Sequence, residues 1–440
     1  MKKRLFAVFA LILLFSSVSF AQWSFVKDFA INRRPHGVVV DKNNHIWIGY
    51  YAFTDTLITA ENDTVPLAPI YVYNTDGTQV SFSPIKFLTV DGVTDTIDTW
   101  CRGFSLDNNG NILFSGNQVL YRINYQTGEG MNKYMYPKSG SLTSAGCDEN
   151  GFVYVTKVVP HGYPLVILDE DFQLYGYVVD SLKTIQRSVV VSPDGKDVYV
   201  GTIYSGKNGI RHYYSPDGPD GDYTLVDTLG SYMRSDSTWK VMWAQSLDWD
   251  PWGMMWVGTY WDVQPGDYTG WYQLDPNKNW AIVDSLGHNL GADSLNAGVF
   301  PSGGTYYSPR HIAFYQEGSD WYALTADFDG GVVKLWRNSN PYTGVIEVKN
   351  GLVRSFDLKQ NYPNPFNPTT TIAFSIEKRG LVNLKVYNIN GQLVSTLVNR
   401  TMTPGNYSVK FDGRGLASGT YYYRLTVDGK LMTKKMTLVK

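Results

Sequence analysis

The sequence predicts an all-β chain, and three observations carry that reading. Six segments repeat one pattern: three or four apolar residues, an Asp- or Gly-rich turn, then apolar–aromatic–apolar. No apolar 3.6-residue period runs beyond two turns, so helices are expected to be scarce. Charge is low, and 32 Tyr with 13 Trp supply the large rings that favour strands over helices.

At the amino end, Lys2, Lys3 and Arg4 precede an apolar run from Leu5 to Phe15, and Ser19 and Ala21 occupy the small-residue positions of a cleavage site. This is the pattern of a signal peptide over residues 1–21. The apolar run is too short to span a bilayer, which needs about 20 residues. The mature protein is expected to begin near Gln22, outside the cytoplasm, with no transmembrane segment.

The repeats are HGVVVDKNNHIWIGY (36–50), RGFSLDNNGNILFSG (102–116), TSAGCDENGFVYVTK (143–157), RSVVVSPDGKDVYVGT (187–202), QSLDWDPWGMMWVGT (245–259) and RHIAFYQEGSDWYALT (310–325). Each reads as two strands around a tight turn, because Asp, Asn and Gly tolerate the left-handed dihedrals such turns need. A third strand follows each pair, such as IYVYN (70–74) and GVVKLW (331–336), and a fourth is expected in the first five repeats. The sixth has none, but WSFVKDF (23–29) matches WAIVDSL (280–286), the fourth strand of the fifth repeat. Four strands in six repeats, the last completed by the first strand of the chain, predict a six-bladed β-propeller over residues 22–340. Closure of this kind removes an exposed sheet edge.

The repeats resemble those of NHL and gluconolactonase/regucalcin-like six-bladed propellers. In the lactonase branch, the resemblance implies a metal held on the axis by acidic and amide side chains that open the innermost strands. The equivalent positions here are His36, Arg102, Thr143, Arg187, Gln245 and Arg310, none of them a carboxylate. A hard cation such as Ca²⁺ wants several oxygens, and three guanidiniums around one channel repel it. No metal and no cofactor is expected. Signatures of a nucleophile elbow, a zinc protease or a phosphate-binding loop are missing as well. Asp217, Asp220 and Asp222 do not follow the order of a calcium loop and read as a solvated turn; His45, His161 and His212 read as ordinary loop or strand histidines.

Cys101 and Cys147 stand at different places in the repeat, about 16 Å apart along neighbouring strands at about 3.3 Å per residue. A disulfide needs Cα atoms within about 7 Å, so free, partly buried thiols are expected.

Residues 341–355 read as a linker. Beyond it, NYPNPFNP leads into the alternating strands TIAFSI, VNLKVYNI, QLVSTLV, NYSVKF, TYYYRLTV and KLMTKKMTLVK. Three prolines within six positions forbid ladder pairing before Thr369 and mark the edge of a module. A small immunoglobulin-like β-sandwich over 356–440 is expected. Charge divides along this boundary: residues 371–440 carry eleven Lys and Arg against three acids, whereas residues 22–370 carry 24 against 37. The basic residues are dispersed along strands, so nucleic acid is not an expected partner. The motifs YPNPFNPTT, VYNINGQLV and LASGTYYYRL, with a Lys-bearing final strand, resemble the type A sorting domain of the type IX secretion system. That resemblance implies passage across the outer membrane, handled by the type IX machinery, to the cell surface or the medium.

The long connections, 51–69, 230–243, 260–268 and 287–309, all emerge where the inner strands begin. They carry Tyr51, Phe53, Trp239, Trp243, Trp261 and Tyr268, and exposed aromatics on scaffolded loops commonly mark a binding surface. Beside a structural surface protein with no small ligand, two function classes that take a ligand therefore stand. One is a surface binding or adhesion module taking a glycan or anionic ligand at a mouth formed by His36, Arg102, Arg187, Gln245 and Arg310. The other is a secreted hydrolase or lyase acting on polysaccharide or lactone through a site without a known signature.

Overall fold

The computed structural model describes residues 23–31, 34–137, 140–159, 164–203, 209–233, 239–259, 270–276, 279–289, 305–318, 320–338, 345–347, 356–377, 380–402, 405–427 and 429–440. The expected signal peptide lies outside them. The described chain is all-β, with helix confined to short 3-10 turns such as Gly218–Asp220. No helix among the described residues is long and apolar enough to cross a membrane.

Up to residue 338 the strands form a propeller-like series of antiparallel sheets. Their first strands are Pro35–Val40, Gly103–Leu106, Ser141–Cys147, Ile185–Val191, Ala244–Trp249 and Pro309–Glu317. Each of these packs beside the next, and the last packs beside the first. The second to fifth sheets have four strands in sequence order, joined by the short turns that the repeat predicts. The first sheet differs from expectation: it has three strands, Pro35–Val40, Ile46–Tyr50 and Tyr71–Tyr73. Where a fourth was expected, only isolated bridges join the sheet, Tyr73 with Gln79 and Ile70 with Ile85, and Phe87–Val90 pairs instead with Val93–Thr96 as a separate hairpin. The cis Ser83–Pro84 peptide lies in this stretch, and a proline without an N–H cannot extend the ladder. In the sixth sheet Pro309–Glu317, Asp320–Asp327 and Val332–Asn338 are joined by the distant strand Trp23–Ile31, with Phe25 opposite Trp336 and Ile31 opposite Val332.

Alternation explains why the second strands are buried along their whole length. Ile46 and Ile48 pack toward Leu324, Val333 and Leu335 of the sixth sheet, whereas Trp47 between them packs with Phe104, Ile112 and Phe114 of the second. In the same way Val189 and Val191 face the third sheet, and Val190 faces the fifth. Both faces of each sheet are thus covered, the condition under which near-continuous apolar runs make strands. Close approach at the centre needs small residues. A Cβ on Gly103 would stand 2.4 Å from the carbonyl oxygen of Thr143 on the neighbouring inner strand.

The repeated Asp of the turns has one job in three sheets. Asp41 accepts the backbone N–H of Asn43 and His45 and the indole N–H of Trp47. Asp148 accepts those of Asn150 and Phe152 and lies 3.4 Å from the hydroxyl of Tyr154. Asp250 accepts those of Trp252 and Met254 and the indole N–H of Trp256. The carboxylate closes the turn and fixes the aromatic six positions later, which is why the two recur together. Cys101 and Cys147 are free.

The carboxy-terminal residues build two further sheets. One holds Thr369–Ile376 and Gly405–Asp412, flanked by Asp357–Leu358 and Val345–Glu347; the other holds Gly380–Asn388, Leu393–Met402, Gly419–Val427 and Lys430–Leu438. One apolar core lies between them, including Ile372, Phe374, Leu384, Tyr423, Leu425 and Met436. Val345–Glu347 falls within the stretch expected as linker yet pairs along Gly405–Asp412. The proline segment is held by side chains. Tyr423 donates from its hydroxyl to the carbonyl of Lys359 and accepts the N–H of Asn361, each at 2.9 Å. Asn361 in turn donates to the carbonyl of Pro363 at 3.1 Å.

Candidate functional site

The six repeat positions converge. His36, Arg102, Thr143, Arg187, Gln245 and Arg310 line one small cavity at the ends of the inner strands, together with His311 and three serines. Arg102 immediately precedes its inner strand, and the other five are the second or third residue of theirs. The cavity measures about 10 Å³, room for roughly one water-sized guest. Among the described residues that line it, none is a carboxylate, so these residues do not offer the oxygen-rich set a hard cation prefers.

Among the described residues, two of the arginines meet neutral partners. Arg310 donates to the Gln245 side-chain oxygen at 2.6 Å, and Arg102 donates to Ser141 Oγ. Arg102 also lies over the ring of Tyr51 at 4.5 Å, and Arg310 over that of Phe328 at 4.8 Å. Such cation–π contacts hold a guanidinium without neutralising it. The imidazole of His36 packs between the same two rings, 5.8 Å from Tyr51 and 5.5 Å from Phe328. Burial, and then the charges of Arg310, Arg187 and Arg102, hold His36 well below the usual histidine range. Burial alone lowers His311 to about 4. Both are neutral at pH 7, so the positive charge here is guanidinium.

Outside the cavity the aromatic cluster continues to the surface. Trp100 packs against Tyr51 at 4.5 Å and against Phe53 at 5.4 Å; Trp100 is 37% and Phe53 45% exposed. Arg34, itself exposed, lies over the outer part of Phe328 at 5.4 Å. Of the aromatic loop residues expected at the mouth, Trp261 and Tyr268 lie outside the described residues. Trp239 falls in a short strand paired with Ser231–Met233, without a described side chain, and Trp243 is half-buried.

Sequence reading missed Trp100, Phe328 and Arg34. A signal for one of them existed. Tyr50 and Asp327 both pair with the residue just before the repeat's first position, Pro35 and Pro309. Tyr51 and Phe328 are therefore equivalent, one step past the second strand. Carrying the first repeat one residue further and the sixth three further would have found Phe328. Of the histidines read as ordinary, His45 meets Asp41 and His212 bridges Asp197 and Asp227, while His161 lies outside the described residues.

Comparison with known proteins accounts for the tail. Residues 360–439 match the family described as secretion system C-terminal sorting domain. This segment is a type IX secretion sorting domain, and it implies export to the outer cell surface or secretion. A search of curated proteins finds no match. Among solved structures, the chain is similar to PorZ, a surface component of the type IX secretion system of Porphyromonas gingivalis. The identity is 14% and the TM-score 0.40, covering 92% of this chain and 51% of that one. It thus spans about half of PorZ. It is also similar to the extracellular domain of a putative one-component system from B. thetaiotaomicron, at 11% identity and a TM-score of 0.37, covering 95% and 57%. A β-propeller domain from Myceliophteria thermophila matches at 9% identity and a TM-score of 0.42, covering 72% and 99%.

Proposed function

We propose that the chain is a binding module displayed outside the cell, with residues 22–340 forming a six-bladed β-propeller closed by its own amino-terminal strand. Residues 1–21 act as the signal peptide, 341–355 as the connection, and 356–440 as an immunoglobulin-like sandwich recognised by the type IX machinery. Support for the blade count comes from the cyclic order of inner-strand contacts and from apolar layers that each lie between two neighbouring sheets.

The ligand is an acidic glycan or a related anion. The observation that carries this reading is the set Arg102, Arg187 and Arg310, drawn from alternate sheets to one cavity whose described lining residues include no carboxylate. Arg is the side chain best shaped to grip an oxyanion through paired hydrogen bonds. The cavity is too small for a sugar ring, so the ring lies outside it, against Trp100 and Phe53, with Arg34 in reach of an acidic substituent.

Screening the purified protein against acidic and neutral glycans, with a parallel assay for turnover, tests the reading. Acidic glycans are expected to bind without being cleaved, and Arg187→Ala is expected to lose that binding while keeping the fold. Equal binding of neutral glycans overturns the anionic assignment, and cleavage returns the hydrolase or lyase alternative.

A further inference from the structure

The fifth sheet, away from the axial cavity, carries one row of residues across its strands Ala244–Trp249, Met255–Thr259, Trp271–Asp275 and Ala281–Leu286. Asp248 stands opposite Trp256, Trp256 opposite Gln273, and Gln273 opposite Asp284. Directly opposed residues project from the same side of a sheet. The last pair lacks a donor. Gln273 Oε1 and Asp284 Oδ2 are buried acceptors, and neither meets a donor among the described residues. Turning the Gln273 amide does not supply one. Its Nε2 already donates to Asp250 Oδ2 at 2.6 Å, and turning it sets oxygen against oxygen there. Gln273 is 1% and Asp284 5% exposed, so bulk water does not serve them. At the same register the second sheet sets Arg122 opposite Asn132, bonded at 3.0 Å. The fourth sets His212 opposite Asp227, at 3.2 Å. In both, the third and fourth strands are joined by a side-chain bond that the fifth sheet forms only if a proton is added.

A carboxyl has a donor to give when it holds its proton. Asp250 is the better place for negative charge, since it accepts from the backbone N–H of Trp252 and Met254, from Trp256 and from Gln273. Among the described residues, the Asp284 carboxyl accepts the N–H of Ser285 alone. A charge on Asp250 also disfavours a second one beside it.

We infer that Asp284 is held as a neutral carboxylic acid that donates its proton to Gln273 Oε1, and that this proton fastens the outer strand Ala281–Leu286 to the fifth sheet until a rise in pH removes it. The inference is independent of the ligand reading. A buried charge without a partner is costly, and an outer strand with one free edge is the element that moves to relieve it. Burial raises both Asp284 and Asp250 to about 6, and the four donors place the first charge of the pair on Asp250. The contribution of the Asp284 proton is therefore complete below about pH 4 and lost as pH rises through about 6. Asp248 and Asp275 are the other carboxyls of these strands, and burial raises Asp248 to about 8. From the sixth sheet this face meets Ile312, Ala323, Trp336 and Phe314, none of which titrates.

Hydrogen exchange of the full chain, read by mass spectrometry from pH 4 to 8 and corrected for the intrinsic rate, tests this. The opening equilibrium of Ala281–Leu286 is expected to rise about a hundredfold and level off above about pH 6, while Ala244–Trp249 keeps its protection. Asp284→Asn keeps both bonds without a charge, and most of that rise is expected to vanish. Should this variant not fold, infrared spectroscopy of the unmodified protein is the independent measurement. A carboxylic C=O band that fades in step with the exchange is expected. A rise of the same size in Asp284→Asn, no rise in the unmodified protein, or a carboxylic band that stays constant while the strand opens overturns the proposal.

Discussion

Lys334 and Asp28 stand 306 residues apart in sequence and 2.9 Å apart in space. The Lys334 side chain is fully buried, whereas Asp28 keeps 30% of its side chain in contact with water. The ammonium also lies 5.3 Å from the Phe25 ring centre. The pair fastens Trp23–Ile31 to the third strand of the sixth sheet, and everything it touches at one end belongs to the first strand of the described chain.

Removing Asp28 leaves a buried ammonium without its counter-charge. Asp28→Ala is expected to destabilise the protein by about 2–4 kcal/mol, discounted from the range for fully buried pairs because Asp28 is partly solvated. Lys334→Met, which removes the charge and keeps the volume, should cost less. In the double variant much of the Asp28→Ala loss should return. Denaturant unfolding of the four proteins checks this, and purely additive losses would refute the role given to the pair.

Acid stability should reflect opposing terms. His311 is lowered by burial to about 4, so the unfolded chain takes up that proton first as pH falls. Its contribution, on the order of 3 kcal/mol, is complete above about pH 6.5 and lost by about pH 4. Asp148 is raised to about 6, burial outweighing its hydrogen-bond donors. Its contribution has the other sign, complete below about pH 4 and lost as pH rises through 6. His311→Gln should therefore lose less stability than the unmodified protein as pH falls from 6.5 to 4. Asp148→Asn should steepen the acid loss. Unfolding midpoints across that window decide, and parallel curves for all three proteins would contradict the assignment.

Gly103→Ala places a methyl 2.4 Å from a backbone carbonyl that cannot swing aside. A loss of about 1–3 kcal/mol is expected. Gly176→Ala, where a Cβ meets nothing within 4 Å, is the control and should be near neutral or slightly stabilising. Equal melting temperatures for the two would show that the inner strands have slack.

Deleting residues 345–440 should leave protein in the periplasm, since it removes the sorting domain together with its edge strand Val345–Glu347. Surface protease digestion of intact cells reads the outcome. Normal surface display of the truncated chain would refute delivery by this tail.

Much of this was legible because the repeat is a local pattern. Asp41, Asp148 and Asp250 close their turns through backbone N–H groups two and four residues on, a short-range relation that any sequence window contains. Register within the repeat then brought His36, Arg102, Thr143, Arg187, Gln245 and Arg310 to equivalent positions. The rest depended on which loop leans on which. Trp100 precedes an inner strand and Phe328 follows the second strand of another sheet, and only tertiary packing sets both beside Tyr51. The missing fourth strand of the first sheet was likewise hidden, since the repeat pattern covers only the first three strands of each unit and leaves the fourth to packing.

The partnership of Trp23–Ile31 with Val332–Asn338 has a consequence in time. The first strand of the described chain is the first of its strands to be made, and its partner is completed some 300 residues later. Bringing ends that distant together costs roughly 3–4 kcal/mol more in chain entropy than closing a hairpin. That cost has to be met by contacts already formed elsewhere. The strand therefore waits, and the molecule spends its emergence as an open arc with one unpaired edge at the trailing end. Whatever receives the chain on the far side of the inner membrane meets that arc first, and the seam is sewn last.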